Sequence, residues 1–182
     1  MNVASGNSPA LLTGGAVRAT RVRMDEKERI EREALAFFLR LYNRKNHRKF
    51  RILVKRERPD FEVRDRWSGE VLGVEVSHIF HDKKEAMMML GRDPSTIHGI
   101  ISAQDHVAVL MEVLRKKAQK VRGYSCSAPV VLVLRDFSKI FSARILFDER
   151  LGLKVPASGY KQVWYLSRSR PTKKWDTLVR LK

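Results

Sequence analysis

The chain has a single cysteine, Cys126, in 182 residues. That excludes an internal disulfide and any cysteine-built zinc site. Long apolar runs are missing as well. The longest, APVVLVL at 128–134, falls far short of the roughly 20 residues needed to span a bilayer, so no membrane span is expected. The N-terminal MNVASGNSPALLTGG lacks a charged segment followed by a sustained apolar stretch. No signal peptide is therefore expected, and the predicted setting is intracellular and cytoplasmic. No Walker-type glycine-rich loop is present, and no serine–histidine–acid order stands out. Acidic residues are scarce: 20 Asp and Glu against 37 Lys and Arg leave a formal charge of +17. Such an excess repels itself unless a polyanion screens it. Nucleic acid is the first partner this suggests, and an anionic membrane surface the lesser one.

What is present reads as one α/β domain. Hydrophobic residues make up 43% of the chain, as in ordinary globular proteins. Residues 1–22 are rich in Gly, Ser, Ala and Asn without periodicity and read as a flexible arm preceding a domain over 23–182. Ile30, Ala34, Phe37, Phe38 and Leu41 recur at helical spacing, which predicts a helix from about Asp25 to Asn43. FRILVKRE at 50–57 alternates as a strand. RPDFEVRD and EVLGVEVSHI flank Ser68-Gly69 and predict a hairpin. A second helix is predicted from about Ser102 to Gly123, followed by the doubly buried strand PVVLVLRD. VWYLSRS at 163–169 reads as a last strand before a basic tail. The order implies a mixed sheet flanked by helices.

If Ser68 and Gly69 centre the hairpin turn, Asp60 opposes Ser77, Phe61 opposes Val76, Glu62 opposes Glu75 and Val63 opposes Val74. One face then carries Phe61, Val63, Leu72, Val74 and Val76, a core. The other carries Asp60, Glu62, Glu75 and Ser77, with Gly73 leaving room beside them. Opposed like charges destabilise a sheet. Neighbouring Lys and Arg can neutralise these acids, or a divalent cation can. Mg²⁺ suits the second solution, because it takes oxygen ligands and is usually held by one or two carboxylates plus substrate phosphates.

RPDF followed by GVEVS resembles the core motif of the PD-(D/E)xK nuclease superfamily, with its restriction-endonuclease-like fold. Pro59-Asp60 and Glu75 match the motif, whereas Ser77 stands where the family has lysine. The resemblance implies an αβββαβ core over about residues 25–136. It also implies that Asp60, Glu75 and the main-chain carbonyl of Val76 hold Mg²⁺ or Mn²⁺, and that the protein hydrolyses phosphodiester bonds, with DNA placed ahead of RNA. Many members act as dimers, so a homodimer is within what it implies. In some branches the lysine moves to the following helix. There Lys117 lies roughly 60° from the apolar centre at Leu114, whereas Lys116 and Lys120 point further out. Lys117 is the expected catalytic lysine and Lys120 its reserve; a solvated basic face is the plainer reading of all three. The family often adds a first-helix glutamate. Glu31, at the edge of the apolar face, is that candidate, or else an ordinary boundary residue.

Between Arg40 and Arg58 stand nine Lys or Arg and one acid, Glu57. Arg44, Lys45, Arg48, Lys49, Arg51, Lys55 and Arg56 form the expected phosphate-contacting stripe, with Arg168, Arg170, Lys173 and Lys174 a second. His78 and His81 read as structural histidines or phosphate contacts near the site, and the MMML run at 87–90 as core or a dimer contact. The rival reading is a nucleic-acid-binding protein that kept the fold after losing catalysis, with Ser77 as its best evidence.

Overall fold

A computed structural model describes residues 25–80, 102–138, 140–169 and 171–182. The expected N-terminal arm, His81, the MMML run and Arg170 lie outside the described residues. Helix α1 (Glu26–Asn46) leads into three antiparallel strands, β1 (Phe50–Lys55), β2 (Phe61–Asp65) and β3 (Val71–Ile79). Helix α2 (Ala103–Lys120) precedes β4 (Val130–Asp136), which pairs parallel to β3. A short α3 (Ala143–Leu146) precedes β5 (Gln162–Arg168), parallel to β4, and β6 (Trp175–Arg180) closes the order antiparallel to β5. The six-stranded mixed sheet runs β1-β2-β3-β4-β5-β6. The stretch expected to be a basic tail supplies β6, whose Trp175 is buried while the rest is half-exposed. No helix among the described residues is long and apolar enough to cross a membrane.

Alternation sorts the side chains. Phe61, Val63, Val74, Val76, Val131 and Val133 face α1, where Leu35, Phe38 and Tyr42 meet them. Ile79, Leu132, Leu134, Val163 and Tyr165 face α2, through Val107, Leu110 and Leu114. β4 is buried along its whole length, as its unbroken aliphatic run predicts. Ser102 caps α2 in a reciprocal box with Asp105. The two long helices are also tied to the sheet by polar contacts of buried strand residues. Asp136 Oδ2 lies 2.6 Å from His106 Nε2 of α2 and accepts from the Tyr165 hydroxyl of β5. Arg135 bonds Glu33 (2.7 Å) and the carbonyl of Ile30 on α1, and lies over the Trp175 and Phe137 rings.

The β2–β3 register differs from the sequence expectation. Phe61 pairs with Val74, Glu62 with Gly73 and Val63 with Leu72, a slide of two residues. The turn is longer than two residues: Asp65 and Glu70 close it, and Gly69 takes a left-handed φ of 72°. The Asp65 carboxylate holds it by accepting from Lys49 N (2.8 Å) and the Ser68 hydroxyl (2.8 Å). Burial pushes that acid up, but these bonds outweigh it and hold the pKa to about 2. An even slide keeps every side chain on its expected face, so the core survives the correction. Glu62 and Glu75 are no longer opposed; Glu62 pairs instead with Arg56 at 2.7 Å.

Gly73 lets the chain pack tightly here. A Cβ there would stand 2.6 Å from Pro59 Cγ and 3.4 Å from Cys126 Sγ. Gly73→Ala is therefore expected to destabilise by about 1–3 kcal/mol, measured by urea unfolding, and to shift the segment that carries Asp60.

Candidate active site

Extending the β2–β3 register by one residue puts Asp60 beside Glu75. Both are buried, at 8% and 6% exposure. Asp60 Oδ2 accepts from the Val76 N–H at 2.7 Å, which fixes the start of β2 against β3. Glu75 points to the α2 side, where Lys117 Nζ meets its Oε1 at 2.6 Å. Glu75 Oε2 is buried with no hydrogen-bond partner. The Tyr124 hydroxyl also lies against Glu75; burial first, then that carboxylate, pushes the phenol up. Glu31 arrives from α1, held by Lys55 at 2.6 Å and Lys27 at 3.7 Å.

These groups line one cleft of about 520 Å³, together with Val76, Ser77 and His78. Lys120 also lines it, exposed. Burial, with Arg135 and Lys117 nearby, lowers the His78 pKa to about 3, so its ring is neutral, and neither ring nitrogen has a partner. A more open groove of about 610 Å³ continues past Glu57 and Arg58 to Lys55 and Arg56.

The cleft therefore brings together Asp60, Glu75, Val76, Lys117 and Glu31. Glu62 keeps its expected sheet face but does not line the cleft; it is half-exposed beside Arg56. The basic stripe divides. Lys55, Arg56 and Arg48 are engaged with Glu31, Glu62, and Asp65 with Glu70 respectively. Arg44, Lys45, Lys49 and Arg51 are exposed. Tyr124 enters the cleft without having been assigned to it from sequence, and the neutral His78 lines it, in keeping with one of its two sequence readings. Tyr124 follows the helix stop at Gly123, a place where only the fold shows what a side chain faces.

The donor set suits a divalent cation in part. Among the described residues no three His, Cys, Asp or Glu side chains group as metal ligands. Two carboxylates do meet, one with an oxygen left unpartnered. Mg²⁺ bound that way would complete its shell with main-chain oxygen, water and substrate phosphate. Comparison with family models, curated proteins and solved structures finds no match for this chain.

The electrostatics carry a test. Burial, then the charge of Glu75, raises the Asp60 pKa to about 6 from an ordinary 3.8. The folded state thus holds a proton that the unfolded chain releases between about pH 4 and 6, so stability falls as pH rises through that window. A shift of this size is worth on the order of 3 kcal/mol. Asp60→Asn keeps an acceptor for Val76 N–H and removes the charge. In EDTA at pH 7.5 it should be more stable than the parent by about 1–3 kcal/mol, and near pH 4 the difference should close. Urea unfolding at both pH values measures it.

Proposed function

We propose that the protein is a metal-dependent nuclease with a PD-(D/E)xK-type site, hydrolysing phosphodiester bonds in DNA. The observation that carries this reading is the meeting of Asp60, Glu75 and Lys117 in one cleft, delivered by three separate elements of a strongly basic chain. The α-β-β-β-α-β order and the parallel β3–β4 pair support it. Asp60, Glu75 and the Val76 carbonyl would hold the cation. Bound there, Mg²⁺ or Mn²⁺ would supply charge at the attacked phosphate and a more acidic water.

The remaining work falls to the chain's own groups. Lys117 stands in for the lysine that Ser77 lacks: from α2 it places an ammonium against Glu75, where it orients a water and offsets phosphate charge. Tyr124 stays protonated and offers a hydroxyl beside the same carboxylate. Glu31, neutralised by Lys55, supports the far wall. Arg58 and Arg56 extend positive charge along the adjoining groove, Arg56 shared with Glu62.

A second reading, a non-catalytic nucleic-acid-binding protein with this fold, draws on Ser77. Cleavage separates the two. Purified protein with supercoiled plasmid or single-stranded DNA is expected to cut with Mg²⁺ or Mn²⁺ and not in EDTA. Glu75→Gln and Lys117→Met should each lower the rate by about 100-fold or more while DNA binding persists. DNA bound but uncut under every metal would favour the second reading. Cleavage unchanged in Glu75→Gln would mean that the cutting does not come from this site.

A further inference from the structure

The β2–β3 turn carries a side chain that the fold does not use. Trp67 is 64% exposed, whereas Trp164 and Trp175 are buried at 1% and 5%. Its ring is not bare: Lys49 Nζ stands 4.8 Å from the centroid. Exposing an indole at a turn forgoes the burial that tryptophan normally contributes.

A second observation comes from the adjoining strands. Arg51 of β1 and Arg64 of β2 are directly paired across the sheet, and both are exposed. Val63 faces α1, so by alternation Arg64 and its partner lie on the opposite sheet face. Neither makes an ion pair among the described residues. Like charges set directly opposite one another destabilise a sheet unless an anion lies between them. Contrast Arg48, Lys55 and Arg56, each matched to an acid. Positive charge is thus left uncompensated on β1 and β2, close in sequence to the turn that carries the exposed indole.

We infer that this face is a binding site for single-stranded nucleic acid: Trp67 stacks on an unpaired base, and Arg51 and Arg64 hold a backbone phosphate between them. Stacking on an aromatic ring next to cationic groups is how proteins hold single strands without reading sequence. A duplex hides its base faces except at its ends, so the indole favours unpaired nucleotides. Lys49 adds charge at the ring itself. β2 runs from this turn back to Asp60, a path of about 20 Å at strand spacing, so a bound strand has a direct route towards the cleft. The binding site does not require that the cleft be catalytic. It shares with the nuclease reading only the premise of a nucleic-acid partner.

The test uses the full chain in EDTA with an oligothymidylate. Binding is followed by anisotropy and by tryptophan emission, in which Trp67 is the exposed reporter. The oligonucleotide should quench the part of the emission that acrylamide also reaches, and Trp67→Phe should abolish that quench while changing the Kd by less than about threefold. Trp67→Ala should weaken binding roughly tenfold, and Arg51→Gln with Arg64→Gln should flatten the salt dependence by about one phosphate contact. A duplex of equal length should feel Trp67→Ala by less than about twofold. Unchanged emission on binding, or wild-type affinity in Trp67→Ala, would overturn this site and leave the cleavage reading standing. Quenching that follows protein concentration instead of oligonucleotide would assign the face to self-association. Failure to bind any nucleic acid would remove both readings. Quenching intact in a protein that cuts nothing would remove only catalysis.

Discussion

Two carboxylates buried side by side repel one another and lose their hydration, and the centre of this molecule is arranged around that cost. Asp60 is anchored by one backbone N–H, and Glu75 by Lys117 with the Tyr124 hydroxyl close by, leaving Glu75 Oε2 without a hydrogen-bond partner. The compensation is incomplete, which is why the Asp60 pKa climbs to about 6. A fold under no other demand would separate such groups or pair both fully. Here the arrangement is instead enforced, since Gly73 lets Pro59 pack against β3 and the β2–β3 ladder fixes where Asp60 begins.

The rest of the charge distribution follows from how the acids are matched. Three cations of the basic stripe neutralise acids: Lys55 serves Glu31, Arg48 serves Asp65 and Glu70, and Arg56 serves Glu62. They serve the fold as structural counter-charges. The uncompensated positive charge then lies on exposed positions such as Arg51, Arg64 and Lys49, the last over the Trp67 ring. An acidic pocket and a basic approach coexist on one small sheet, the pattern expected where a polyanion must be drawn to a cation site.

Much of this was legible in the sequence, for reasons of parity. Alternation within β3 placed Glu75 opposite to Val74 and Val76 whatever the turn, and Asp60 stays on the face of Glu75 because the true register differs by an even number of residues. The resemblance directed attention to the two helices, and helical angle then chose Lys117 over Lys116 and Lys120 and set Glu31 at the boundary of the α1 face. The turn itself was not legible: Ser68-Gly69 looks like a two-residue hairpin centre, and only the Asp65 side-chain bonds reveal a longer loop. β6 was hidden because its few apolar positions sit among lysines and arginines and most of it remains half-exposed. Arg135 and Asp136 look like the polar end of a strand, yet both are buried, since their partners Glu33, His106 and Tyr165 lie far away in sequence.

The central claim is that Asp60 and Glu75 together hold one divalent cation. Titration of the protein with Mn²⁺, followed by electron paramagnetic resonance with and without bound DNA, tests it most directly. The account predicts one bound ion, lost in both Asp60→Asn and Glu75→Gln, with protons released on binding near pH 6. No bound ion in either condition, or binding that survives both substitutions, would contradict it.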